Sequence, residues 1–209
     1  MAYKVLIVDD QIMARQLFES FVASSDRYEL VASVETAKFA DAYCAGKNVD
    51  LVIMDVVMSD GSCGLDTAAR IKASYPEVKV IIVTSMPDSA FLKRAREIGM
   101  DSFWYKEVQE APMLDIMNRT MEGENVFPDS PPITNIGLAK STEFTERELD
   151  VLRLLSEGLT DKEIAERLHL SVTTVRFHVK NLISKTGTIS RTELAVNAVR
   201  SGIAIPGIR

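Results

Sequence analysis

The chain has 209 residues, 46% of them apolar and 26% charged, with a net charge of −6, the make-up of an ordinary soluble globular protein of one or two domains. No stretch approaches 18 uninterrupted apolar residues, and the opening residues enter a strand pattern without a signal-peptide layout, so a cytoplasmic location and no membrane contact are expected. Cys44 and Cys63 are too few for a disulfide framework, and His169 and His178 have no cysteine near them to build a zinc site.

In chain order, residues 3–8 form a short apolar strand ending on Asp9 and Asp10. Residues 12–23 carry apolar side chains at helical spacing, 28–34 read as a second strand, and 37–45 as a helix with Gly46 as its C-cap. The third strand, 50–54, leads into Asp55, and a loop with Gly61 and Gly64 precedes a helix over 65–74. A strand over 78–83 reaches Thr84, a helix follows over 89–98, and a weaker strand over 101–105 ends at Lys106 before a helix over 112–121. Five strands alternating with five helices predict a doubly wound parallel sheet of the flavodoxin-like (βα)5 kind over residues 1–122.

Periodicity vanishes over 123–142, where Gly and Pro cluster, and this stretch reads as an interdomain linker. Residues 143–209 read as all-α, four short helices in a small bundle, with capping boxes at Thr145 and Thr160, an N-cap at Ser171 and a last helix over 192–200. Charge divides the same way: 13 Lys and Arg against 20 Asp and Glu through Asn125, but 11 against 10 from Val126 onward.

Taken alone, Asp55 reads either as a cap of the next turn or as a ligand at the carboxyl edge of a buried strand. In the predicted sheet the strands ending at Asp10 and Asp55 are neighbours, so Asp9, Asp10 and Asp55 converge. Three close carboxylates repel one another, and a hard divalent cation such as Mg2+ relieves the repulsion. Thr84 and Lys106 end the next two strands at the same edge. Metal-binding carboxylates, a nucleophilic carboxylate, a hydroxyl and a cation are what phosphoryl transfer to an Asp side chain requires.

These residues resemble the receiver domain of bacterial two-component response regulators, over about residues 4–121. The resemblance implies that Asp55 is the phosphoacceptor and that Asp10, Asp55 and the carbonyl of Val57 bind Mg2+, with Asp9 assisting through water. It implies that Thr84 bonds the phosphoryl oxygen, that Lys106 pairs with it, and that Phe103 is the switch aromatic. Two departures stand out. Met58 is followed by Ser59 where the family has proline, and Gly64 lies nine residues after Asp55 where the family has eight, so the loop 59–63 is one residue longer. Trp104 and Tyr105 are also bulkier than usual. An aspartyl-phosphate phosphatase would need an acid two residues after its nucleophile, where this chain has Val57.

Residues 161–185 read as helix, turn, helix, and residues 171–192 hold Arg176, Lys180, Lys185 and Arg191 with no acid in 22 residues. The outer face of the second helix offers Thr173, Thr174, Arg176, Phe177, Lys180 and Asn181. Such a face suits the major groove, and equally a solvated helical hairpin. The stretches 144–152, 158–165 and 171–178 together resemble the LuxR-type helix-turn-helix, over about 60 residues. By that resemblance Arg176, Phe177 and Lys180 contact base edges or adjacent phosphates, and Thr173, Thr174 and Lys185 contact phosphates. His178 is structural or touches the DNA backbone, and Leu194, Val196 and Val199 are dimer contacts. Thr186 and Thr188 flank Gly187 where the family has apolar residues, a replacement the sequence alone leaves unexplained.

Receiver plus LuxR-type domain is the layout of NarL/FixJ response regulators. The resemblance implies a transcription regulator rather than an enzyme, phosphorylated on Asp55 by a sensor histidine kinase with Mg2+ as cofactor. Phosphorylation would promote homodimerisation and binding to paired half-sites in double-stranded DNA, with RNA polymerase as a further contact. The alternative is a constitutive DNA-binding factor whose receiver serves only as an interaction module.

Overall fold

Five apolar runs pair in parallel as β1 (Tyr3–Val8), β2 (Tyr28–Val34), β3 (Leu51–Asp55), β4 (Lys79–Thr84) and β5 (Ser102–Tyr105), in the order β2-β1-β3-β4-β5. Every residue of β3 is buried, which is why its sequence runs apolar without alternation. On one face Val5, Ile7, Leu51, Ile53, Ile81, Val83 and Trp104 pack against Phe18 and Val22 of α1 (Ile12–Ala23) and Ile116 and Met117 of α5 (Met113–Met121). The alternate residues, among them Leu6, Val8, Val52, Met54, Val80, Ile82 and Phe103, are buried on the other face. Helices α2 (Ala40–Lys47) and α3 (Gly64–Ser74) run against β1, β3 and β4, and α4 (Ser89–Glu97) links β4 to β5. The strand order brings the ends of β1 and β3 side by side, as the acidic constellation requires.

The computed structural model describes residues 2–47, 49–106 and 112–204. The chain divides into two units, Met1–Ser85 with Ala90–Ser130 and Met86–Ser89 with Pro131–Arg209. In the second, α6 (Glu146–Ser156), α7 (Asp161–Leu168), α8 (Val172–Thr186) and α9 (Arg191–Arg200) surround a core that includes Val151, Leu152, Ile164, Val175, Leu182 and Leu194. Thr145 and Thr160 cap α6 and α7 through reciprocal bonds with Glu148 and Glu163, and Ser171 caps α8 through the amide of Thr174. Those capping boxes were legible because two orphan amides at each helix start are satisfied by residues three apart.

One expectation is corrected and a second is refined. Gly46 does not cap the second helix: a 3-10 turn, Ala37–Phe39, opens that region and α2 runs through Gly46 to Lys47. The stretch 123–142 is less free than its Gly and Pro content suggests. Its start lies along β5, where the Phe103 amide donates to the Val126 carbonyl at 2.9 Å and Val126 forms a parallel bridge with Ser102. Its end folds as a hairpin of β6 (Asn135–Ile136) and β7 (Ala139–Lys140), with Ile136 and Ala139 in the second core. Gly137 takes φ +58° in the turn, where a two-residue hairpin demands a positive value.

The polar residues around Gly187 lie beside that hairpin and bond among themselves. The Leu138 amide donates to the Thr186 carbonyl at 2.9 Å. The buried Thr186 hydroxyl donates to the Leu182 carbonyl at 2.8 Å and meets the Thr188 hydroxyl at 2.9 Å. Both hydroxyls are satisfied internally, so burial costs little.

Gly64 sets how closely α3 approaches the sheet. Its amide donates to the Val56 carbonyl at 2.9 Å, and a Cβ there would lie 1.7 Å from the Asp55 carbonyl oxygen. Gly64→Ala therefore forces backbone apart and is expected to cost about 2–3 kcal/mol, read as a lowered urea midpoint. An unchanged midpoint would show that the helix start moves freely.

Candidate functional site

The parallel sheet places three carboxylates at one edge. Asp9 and Asp10 follow β1, Asp55 ends β3, and one ligand oxygen from each lies within 4.8 Å of the others. Asp9 is fully buried and Asp55 nearly so. Lys106, just after β5, reaches back between them: its Nζ lies 2.6 Å from Asp9 Oδ2 and 2.8 Å from Asp55 Oδ1. The Lys106 backbone amide donates to the Thr84 carbonyl at 2.9 Å. Thr84 itself is buried at the end of β4, in register with Tyr105 and one residue beyond Val83, the partner of Asp55. The five candidate side chains thus converge on one sheet edge.

Their hydrogen bonds differ in a telling way. Both Asp9 oxygens have donors, Oδ1 from the Gln11 amide at 3.0 Å and Oδ2 from Lys106. Asp10 Oδ2 accepts from the Ser59 amide at 2.7 Å, but the buried Oδ1 has no hydrogen-bond partner. A buried carboxylate oxygen left without a donor costs free energy, and a divalent cation supplies what it lacks. The donor set therefore fits Mg2+: all-oxygen, dense in negative charge, with Asp10 and Asp55 better placed than Asp9 to ligate directly. Val57 bridges Cys63 in the loop beyond.

Burial, the largest influence, pushes the Asp55 carboxyl up to about 7, against the pull of Lys106 and with help from the charge on Asp9. Burial would lower Lys106, but its two carboxylate partners outweigh that and hold it above its ordinary value. Phe103 is 1% exposed, with Tyr105 edge-on at 5.0 Å and Phe127 stacked at 6.4 Å.

In the second unit α8 presents Thr173, Arg176, Phe177 and Lys180 to solvent, with Thr174, His178 and Asn181 half-buried. Arg176 pairs with Asp161 at 3.3 Å yet keeps 72% of its side chain exposed, and Phe177 is 60% exposed. The Thr174 hydroxyl meets that of Ser171 at 2.7 Å. Lys185 is engaged from within, by Glu148 Oε2 at 2.7 Å and the Glu143 carbonyl at 3.0 Å. These bonds tie α8 to α6 while Lys185 stays exposed. Leu194 is fully buried in the helical core, so it is no surface contact, whereas Val196 and Val199 are 48% and 41% exposed. Sequence reading missed Asp161, which pairs with Arg191 as well as Arg176. It stands in a capping segment, and nothing linear pointed to α8 or α9.

Residues 5–118 match the response regulator receiver domain family, and residues 142–198 match the bacterial regulatory proteins of the luxR family. The chain is a two-component response regulator. It belongs to the class that joins a receiver to a LuxR-type helix-turn-helix, a transcription regulator rather than an enzyme. It is 32% identical to the response regulator protein VraR of Staphylococcus epidermidis over 97% of this chain and 99% of that protein. The VraR of Staphylococcus aureus is 31% identical over the same shares. Among solved structures, RcsB of Salmonella enterica serovar Typhimurium, bound to a promoter in the presence of the phosphomimetic BeF3−, aligns with a TM-score of 0.64 at 19% identity. The alignment covers 97% of this chain and 99% of RcsB. A structure of two RcsB dimers bound to two parallel DNAs gives 0.63 at 19% identity, over 95% and 98% of the two chains. These structural likenesses speak to fold. Among the described residues of the response regulator no helix is long and apolar enough to cross a membrane.

The raised Asp55 carboxyl links stability to pH. Folded Asp55 holds its proton up to about pH 7, whereas an unfolded Asp releases it near 4. The cost of the buried charge is therefore absent below about pH 4 and fully present above the folded value, so wild type loses stability as pH rises between them. In metal-free buffer Asp55→Asn is expected to gain on wild type across that window, read from urea midpoints at several pH values. Parallel pH profiles of the two proteins would sink the assignment.

Proposed function

We propose that this response regulator accepts a phosphoryl group on Asp55 from the phosphohistidine of a sensor kinase, and thereby controls its dimerisation and DNA binding. The observation that carries this reading is the buried Asp9–Lys106–Asp55 bridge beside an Asp10 oxygen that has no donor. In the proposed step an Asp55 oxygen forms the P–O bond as the P–N bond breaks and the imidazole leaves with the electron pair. Asp10, Asp55 and the Val57 carbonyl would hold Mg2+, which when bound supplies charge neutralisation at the phosphoryl oxygens. Asp9, occupied by protein donors, acts from one shell further out. Lys106 pivots from the Asp55 carboxylate to the phosphoryl group, and the Thr84 hydroxyl bonds a phosphoryl oxygen.

Transmission follows from packing. As Thr84 moves inward, Phe103 repacks, and Phe103 is tied to the chain leaving the receiver. Phe127 stacks on it, Arg96 of α4 lies over the Phe127 ring at 5.3 Å, and Arg96 also donates to the Pro128 carbonyl at 2.8 Å. A shift at Phe103 therefore biases a pre-existing two-state equilibrium of the α4–β5 surface and the segment that follows. Val196 and Val199 serve as dimer contacts of the helix-turn-helix unit. On DNA, Arg176, Phe177 and Lys180 of α8 face base edges, and Thr173 and Thr174 face phosphates. Dimers read paired half-sites, and RNA polymerase is a further partner, all in the cytoplasm.

Incubation with a small phosphodonor and Mg2+ is expected to add one phosphoryl mass to wild type and none to Asp55→Ala. No gain in wild type would refute the phosphoacceptor reading. Equal DNA affinity of the two proteins after that treatment would favour a constitutive factor. On genomic fragments recovered with the protein, Lys180→Ala is expected to weaken binding about 10-fold and to flatten the dependence of log affinity on log salt. Wild-type affinity with a wild-type salt slope would remove α8 from the interface.

A further inference from the structure

The loop that departs from the family's length is built as a closed unit. Val57 and Cys63 pair across it in antiparallel fashion, the Met58 amide donates to the Ser62 carbonyl at 3.3 Å, and the Gly61 amide donates to the Met58 carbonyl at 3.0 Å. Gly61 takes φ +78° to close the turn. Ser59 and Asp60 form its tip, and the two point to different parts of the receiver. The Ser59 amide holds Asp10 Oδ2 at 2.7 Å. Asp60 faces the segment after β2: its Oδ2 accepts from the Thr36 hydroxyl at 2.8 Å and lies 3.1 Å from Lys38 Nζ. Its Oδ1 accepts from the Ser62 amide at 2.9 Å and the Ser62 hydroxyl at 2.6 Å. One carboxylate thus gathers four donors from two separate segments.

A ligating carboxylate works best when a second donor fixes its orientation, because the cation then meets an oxygen already turned toward it. Here that donor is a loop amide, and a loop amide stays in place only if the loop does. We infer that Asp60 is a positioning residue for the cation site: by fastening the loop tip to Thr36 and Lys38, it keeps the Ser59 amide on Asp10 and leaves the other Asp10 oxygen turned to the cation. Asp60 touches neither the cation nor the phosphoryl group. The longer loop gains a residue that reaches the Thr36 turn, and the reach offsets the slack that the extra length would introduce.

The inference rests on the cation site of the proposed function, and calorimetric titration of the full chain with Mg2+ separates the two. Wild type is expected to bind. Asp60→Ala is expected to bind on the order of 10-fold more weakly, within the range seen when an outer partner of a ligand is lost. Its melting temperature without Mg2+ should stay at the wild-type value. Thr36→Val should weaken binding less, and Asp60→Ala with Thr36→Val should be no weaker than Asp60→Ala alone, because the two removals break one connection. With a small phosphodonor, the Mg2+ concentration giving half-maximal phosphorylation rises in Asp60→Ala by the same factor, while the rate at saturating Mg2+ stays near wild type. A wild-type Mg2+ affinity in Asp60→Ala, or additive losses in the double variant, overturns the role of Asp60. Failure of wild type itself to bind Mg2+ overturns the cation site instead.

Discussion

The receiver depends on one electrostatic compromise. Asp9 is completely buried and Asp55 almost so, and the charge that makes this tolerable is the ammonium of Lys106, itself mostly covered. Burying either carboxylate unpaired would cost several kcal/mol. The bridge requires β1, β3 and β5 to end at one edge in register, since a slip of one residue would turn a carboxylate to the other face of the sheet. It also bears on the proposed switch. Lys106 offsets only part of the cluster's charge: the Asp10 oxygen is left in want of a partner, and burial outweighs the pull of Lys106 so that Asp55 holds its proton to about pH 7. On the proposed reading, phosphorylation replaces this strained arrangement with one in which every charge has a counter-charge.

Much of this was legible in the sequence because it follows from local rules. Unbroken apolar runs announced buried strands, acids at strand ends announced the cluster, and Thr-x-x-Glu announced two helix starts. What escaped was non-local. Lys185 and Arg191 stand in an acid-free stretch and so read as free cations, yet Glu148 and Asp161, distant in sequence, engage both. Leu194 fits an exposed helix stripe as well as a buried one, and only the packing of α9 against its neighbours decides for the core. The stretch 123–142 has turn-forming composition, but a bridge of one residue and strands of two give no periodicity to detect. The extra loop residue was visible, whereas the four bonds that fasten Asp60 were not.

The helix-turn-helix unit applies the same lesson to charge. A protein of net charge −6 can present a face to DNA only if its acids lie elsewhere or are spent internally. Glu148 does the latter, closing the α6 capping box while holding Lys185. Asp161 draws Arg191 and part of Arg176 toward α7. Outward on α8 stand Arg176, Phe177 and Lys180 with Thr173 beside them, a narrow cationic strip around an exposed ring. A strip with so few charges makes weak and salt-sensitive contacts, and on the proposed reading that weakness favours regulation, because a modest gain from pairing two such units would decide whether DNA is occupied.

The same economy appears where the receiver hands on its state. An edge strand such as β5 needs covering, and the chain leaving α5 covers it, through Val126 on the strand and Phe127 on the Phe103 ring. A linker with no such contacts would damp any movement of Phe103 over its slack. Here the aromatic that the proposed mechanism moves is packed directly against the segment that must respond, and Arg96 of α4 holds both the ring and the backbone of that segment. Tightly packed rings rearrange between discrete positions rather than drift. On the proposed reading, a shift of Phe103 has to be answered by Phe127, and the state of one buried carboxylate reaches the covering segment through that stacked pair.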